Sequence, residues 1–224
     1  MLKINILTFF RILFESCIMI IKNVVVGPLD VNCYILGCED TKAAAIIDPG
    51  DNADEIIKAI DKEGLNPEFI INTHAHFDHI GGVKAIQEHF KIDFLLHKED
   101  SYLIENASEQ ATAFGLSPIS KPDVNKFVNN EDKISLGDKI INVIHTPGHS
   151  PGGVCCHVDN NVFVGDTMFA GSIGRTDLPG GSYEILINSI KERLFPLGDS
   201  TIVYPGHGPS TTIENEREHN PFLT

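Results

Sequence analysis

Four apolar, β-rich runs in this chain end alike, in a loop that sets histidine or aspartate beside glycine. PEFIIN runs into THAHFDHIGG at residues 73 to 82, DKIINVIHT into PGHSPGG, NVFVGD into TMFAG, and TIVY into PGHGP. Glycine lets the backbone turn sharply after a strand and leaves space for a bound group. The first loop packs His74, His76, Asp78 and His79 into six positions, a density of imidazole with no packing rationale. Whatever the fold, it must give these loops something to hold.

The runs between the loops set the fold class. IIKNVVV, VNCYIL and AAAIID read as strands, with turns at Gly27-Pro28 and Glu39-Asp40. NADEIIKAIDKEG reads as an amphipathic helix, with Asn52 as its cap, Glu55 completing a capping box and Gly64 stopping it. PEFIIN is a buried strand, GVKAIQEHF a helix and IDFLLH another strand; KEDSYLIENASEQATAF is a polar helix, and residues 115 to 126 form a loop. In the second half, DKIINVIHT is a strand, VCCHV and NVFVGD a hairpin about Asp159-Asn160, SYEILINSIKERLF a helix, TIVY a strand and TIENEREHN a closing helix. Strands that first follow strands and then alternate with helices predict an α/β fold, two sheets between helical layers.

The 224 residues suit one domain with a substantial core, 42% of them apolar. Residues 1 to 18 read as an appendage and 19 to 224 as the domain, because the first strand starts at a second methionine, Met19. The leading stretch is interrupted by Arg11 and Glu15, so it is too short to span a bilayer, and no membrane role is expected. With 17 Lys plus Arg against 31 Asp plus Glu, the net charge of −14 repels phosphate backbones and excludes nucleic acid as a partner. Five cysteines without a C-x-x-C read as small buried hydrophobes in a reducing cytoplasm. Cys155 and Cys156, adjacent on a strand, should face opposite ways.

The ligand-type residues sort into two metal sites. One ion takes His74, His76 and His149, the other Asp78, His79 and His207, and Asp166 bridges them with a shared hydroxide. Nitrogen and carboxylate donors with an open position describe catalytic zinc, for which iron or manganese can substitute. Two divalent ions outweigh the carboxylates and hydroxide, so the site stays positive and can polarise a carbonyl. His89, His97, His157 and His219 read as structural or exposed. His145 reads either as support for a ligand or as a satisfied polar core residue. Asp48 either orients a ligand imidazole or caps the next turn.

THAHFDH, HTPGHSPG, GDTMFAGSIGRTDLPGG and YPGHGP together resemble the metallo-β-lactamase superfamily, from about Met19 to the C-terminus. The resemblance implies a four-layer αββα sandwich, two mixed sheets flanked by helices, with the metals at one edge. It maps the family's ligand positions onto the same seven residues. Asp166 stands where β-lactamases of this fold usually have cysteine, which speaks against antibiotic hydrolysis. GSIGRTDLPGG and the closing TTIENEREHNPFL look most like short bacterial glyoxalase II-like proteins. That likeness implies hydrolysis of a small acyl thioester such as S-lactoylglutathione, with Asp78 also orienting the attacking hydroxide. With one helix after His207, this sequence is expected to lack much of the glutathione site that the long C-terminal helical extension of glyoxalase II supplies. Arg175 stands ready either to grip a substrate carboxylate or to bond its own loop through Asp177. The alternatives are a lactone or other ester hydrolase, and a persulfide dioxygenase using one iron on His74 or His76, His149 and Asp166.

Overall fold

The computed structural model describes residues 18 to 224; the readings of the leading segment and of Cys17 lie outside the described residues. The first sheet begins with β1 (Met19–Val26), β2 (Val31–Cys38) and β3 (Ala43–Ile47), which pair antiparallel. β4 (Asn66–Ile71), β5 (Asp93–His97) and β6 (Lys126–Val128) then add in parallel. Parallel neighbours need crossovers, supplied by α1 (Ala53–Glu63), by α2 (Phe77–Ile80) with α3 (Val83–Phe90), and by α4 (Ser101–Ala113).

The second sheet is built from β7 (Lys133–Leu136), β8 (Lys139–His145), β9 (Val154–Val158), β10 (Asn161–Gly165), β13 (Ile202–Pro205) and β14 (Thr211–Thr212). Its pairs are antiparallel except β10 with β13. α5 (Tyr183–Ser189) forms the crossover between those two, and α6 (Ile213–His219) follows β14. A small hairpin, β11 (Met168–Phe169) with β12 (Ser172–Ile173), projects after β10.

Strand alternation divides the core into three layers. On β2, Cys33 and Ile35 face α1, α3 and α4, while Tyr34 and Leu36 face the second sheet. On β9, Cys156 joins the layer between the sheets and Cys155 the layer under α5 and α6, as adjacent strand residues must. Apolar layers on both faces explain why β2 and β3 are buried throughout and read as continuous apolar runs. The result is the expected αββα sandwich of two mixed sheets. Cys33, Cys155 and Cys156 are buried free thiols, and Cys38 is buried as well. Among the described residues, no helix is long and apolar enough to cross a membrane.

The capping box at α1 does not form. Asn52 sits in a left-handed conformation at φ 47° and makes no side-chain cap bond. Its Oδ1 instead accepts from the Gly27 amide, 2.7 Å away, tying the β1–β2 turn to the helix start. Gly64 does end the helix, at φ 64°, with its amide directed to Asp61 and Ile60 carbonyls. The stretch expected as a loop over residues 115 to 126 gives up its last residue to β6. The expected long helix after Ser182 continues beyond α5 as a wider turn and then a tight one, Ile190–Leu194 and Phe195–Leu197.

Candidate metal centre

The first loop is shaped from beneath. Asn72, just past β4, donates from Nδ2 to the carbonyls of His79 at 2.7 Å and His74 at 3.4 Å, folding THAHFDH back on itself. His74 and His76 lie on the extended part of the loop, while Asp78 and His79 ride on α2. His149 comes from the loop after β8, Asp166 from the end of β10 and His207 from the end of β13. All seven arrive at one edge of the sandwich.

They form two adjoining groups. Donor atoms of His74, His76 and His149 lie within 4.8 Å of one another, as do those of Asp78, His79 and His207. Asp166 stands between: Oδ2 is 3.6 Å from His149 Nε2, while Oδ1 is 3.4 Å from His79 Nε2 and 3.7 Å from His207 Nε2. One carboxylate thus presents an oxygen to each group.

The rings are turned by their outer nitrogens. His79 Nδ1 lies 3.1 Å from Asp48 Oδ2, His149 Nδ1 2.8 Å from the Arg175 carbonyl and His207 Nδ1 2.9 Å from the Leu29 carbonyl. Each bond to an oxygen acceptor fixes the proton on Nδ1 and leaves the Nε2 lone pair facing inward. His76 enters the other way round, with Nδ1 2.9 Å from His149 Nε2. Asp48 therefore orients a candidate ligand imidazole. It also accepts from the Thr73 amide at 2.7 Å and the Thr73 hydroxyl at 2.6 Å.

These donors fit a divalent cation. His79 Nε2 and Asp166 Oδ1 are buried without a hydrogen-bond partner, which is costly unless a bound cation takes both. Burial, and then the neighbouring imidazoles, hold the His74 pKa well below its ordinary value and bring His76 to about 3. Those rings are neutral, as ligands must be. Burial opposes charge on His79, but Asp166 and Asp78 outweigh it and hold that pKa well above the ordinary value, so without a cation the ring takes a second proton at Nε2, the place a bound metal would occupy instead. The backbone also leaves room. A β-carbon on Gly206 would overlap Asp166 Oδ1 and lie 2.7 Å from His79 Cε1.

Two further sequence candidates have alternative readings, His145 as ligand support and Arg175 as a grip on substrate. The His145 ring stacks on His97 with centroids 4.3 Å apart, and its Nε2 bonds the Pro151 carbonyl at 2.9 Å, so it is satisfied away from the ligand rings. The Arg175 guanidinium forms a two-pronged pair with Asp177, at 2.9 and 2.7 Å, and is half exposed. Its backbone carbonyl, not its side chain, touches His149.

Asp100 was not legible in the sequence, where it looks like one more charge in HKED. It is wholly buried and joins two of the loops. Oδ2 accepts from the Ala75 amide at 3.1 Å and the Ser150 hydroxyl at 2.8 Å, and Oδ1 from the Gly152 amide at 2.6 Å. Asn32 was missed likewise: from the first sheet, its Nδ2 donates to the Pro205 and Gly208 carbonyls on both sides of His207.

A pocket of about 470 Å³ opens over the centre, lined by His76, Asp78, His149, Asp166 and His207 with Leu29, Phe77, Leu103, Phe114, Leu178 and Pro179. A second, of about 390 Å³, adjoins it across Leu29, Phe77 and Asp78.

The metallo-beta-lactamase superfamily description matches residues 26 to 207. The hydroxyacylglutathione hydrolase GloC of Haemophilus influenzae is 40% identical over 91% of this chain and 97% of its own length. Among solved structures, BLEG-1, called a B3 metallo-beta-lactamase, is 41% identical, with a TM-score of 0.86 over 92% of this chain and all of that one. A protein solved in a di-iron-bound form, also 41% identical, gives 0.82 over 90% of this chain and all of its own. ETHE1 from Myxococcus xanthus is 27% identical, with a TM-score of 0.77 over 91% of this chain and 84% of that one. With its His/Asp clusters and αββα sandwich, this chain belongs to the metallo-beta-lactamase superfamily as a metal-dependent hydrolase.

Proposed function

We propose that this protein hydrolyses acyl thioesters at a centre of two divalent ions, zinc first among them. The observation that carries the reading is Asp166, one oxygen toward each histidine group. The kinship with a hydroxyacylglutathione hydrolase supports the thioester and makes S-lactoylglutathione the first substrate to assay. Bound there, divalent ions supply Lewis acidity and a water that ionises near neutral pH.

The chain's own residues do the rest. His74, His76 and His149 would hold one ion, Asp78, His79 and His207 the other, and Asp166 would serve both. Asp78, which lines both pockets, would orient the attacking water toward the thioester carbonyl. Phe77, Leu103 and Phe114 shield the carbonyl from bulk solvent. A reducing cytoplasm suits the buried free thiols of Cys33, Cys155 and Cys156.

The kinship with ETHE1 keeps one rival, the single-iron persulfide dioxygenase drawn from the sequence. BLEG-1 puts a β-lactam among the assays as well, against the expectation from Asp166. Metal-loaded protein is expected to release free thiol from S-lactoylglutathione without consuming oxygen. Oxygen uptake with glutathione persulfide and no thiol release overturns the reading, and so does ring opening of a β-lactam in preference to thioester cleavage.

A further inference from the structure

The pocket over the centre is poorly made for a substrate bearing carboxylates. Apart from the metal-facing residues, its walls are Leu29, Phe77, Leu103, Phe114, Leu178 and Pro179, with Gln110 and Arg175 the remaining polar groups. Phe77 and Phe114 meet with ring centroids 5.1 Å apart and form one apolar wall. Arg175 is the pocket's single basic side chain, and Asp177 already faces it with both carboxylate oxygens. The adjoining pocket has no basic residue; its charged groups are Asp51 and Asp78. The chain as a whole carries a net charge of −14.

Resting on the thioesterase reading, we infer that the substrate is a thioester with an apolar chain or ring on the arm that enters the Phe77–Phe114 pocket and no carboxylate on that arm. Glutathione brings two carboxylates, which away from the metal centre would find one guanidinium, already paired with Asp177, and no other Lys or Arg on the walls of either pocket. An apolar arm gains from leaving water at each step, roughly fourfold per methylene buried. The lack of carboxylate partners on the pocket walls and the gain from apolar burial thus favour the same class.

The test compares thioesters that differ in one arm at a time, on metal-loaded full-length protein. The acyl group runs from acetyl to butyryl to hexanoyl on uncharged N-acetylcysteamine, and the carrier changes from glutathione to N-acetylcysteamine to benzyl mercaptan under a fixed acyl group. In at least one series, kcat/KM is expected to rise tenfold or more from end to end. Calorimetry with uncleavable thioethers should give the same order of binding: S-hexyl-N-acetylcysteamine tighter than S-methylglutathione. Phe114→Lys, at an exposed position, should lower kcat/KM for the apolar substrates and raise it for S-lactoylglutathione. Both series flat or falling, with S-lactoylglutathione the best substrate and Phe114→Lys without effect, overturns the inference and leaves the thioesterase reading standing. No cleavage of any thioester brings down both.

Discussion

At the scale of single residues, the carboxylates do unlike work. Asp166 faces both histidine groups, so Asp166→Asn should release both ions: a neutral amide keeps the shape but loses the charge that bridges. Elemental analysis of the purified variant should find well under half the wild-type metal. Asp100 touches no candidate ligand atom, yet it holds the backbone at Ala75 and Gly152. Asp100→Ala strands two buried amides and a hydroxyl, at about 1–3 kcal/mol each. It should lower the melting temperature and weaken metal binding together. Arg175→Ala should leave metal content unchanged and cost under about 1 kcal/mol of stability, since an exposed ion pair contributes little and the His149 contact is made by the backbone. Loss of metal in that variant would show that the side chain does shape the loop. His and Asp beside glycine after a strand is a local pattern, so the seven candidates could be read from sequence. Asp100 and Asn32 could not, because their partners lie 25 to 52 and 173 to 176 residues away.

At the scale of elements, strands were the more legible because their β-branched, apolar residues cluster in short runs, unbroken in β2 and β3 where both faces are buried. β1 to β5, β8 to β10 and β13 all lie where such runs predict them. β7, β11, β12 and β14 are two to four residues long and too short to show a period. The capping box at α1 failed because Asn52 Oδ1 found a distant partner in Gly27, which no local pattern announces. The glycines separate space from conformation. Gly206→Ala places a methyl group against Asp166 and His79 and should cost metal binding well beyond any loss of stability. Gly64→Ala meets nothing within 4 Å but must keep a φ of +64°. It should cost roughly 1 kcal/mol of stability with full metal content. Equal metal loss in the two variants would mean that Gly206 acts through the backbone alone.

At the scale of the whole molecule, two sheets packed face to face bring four strand ends to one edge, and the second sheet is stitched to the first where the ligands meet. Tyr34 Oη and Asn32 Nδ2 both bond the Pro205 carbonyl, at 2.8 and 3.0 Å, so the His207 loop is held by the opposite sheet. We propose that the domain runs from Met19 to the C-terminus. A chain beginning at Met19 should then melt within a few degrees of the full-length protein and keep its activity; failure to fold would place the earlier residues within the domain. The central claim, two cations held by two histidine groups and one shared aspartate, is tested most directly by metal stoichiometry on protein refilled with zinc after chelation. Two ions per chain are expected in the wild type, and the loss of both in Asp166→Asn. One tightly held iron per chain that zinc does not replace would contradict it.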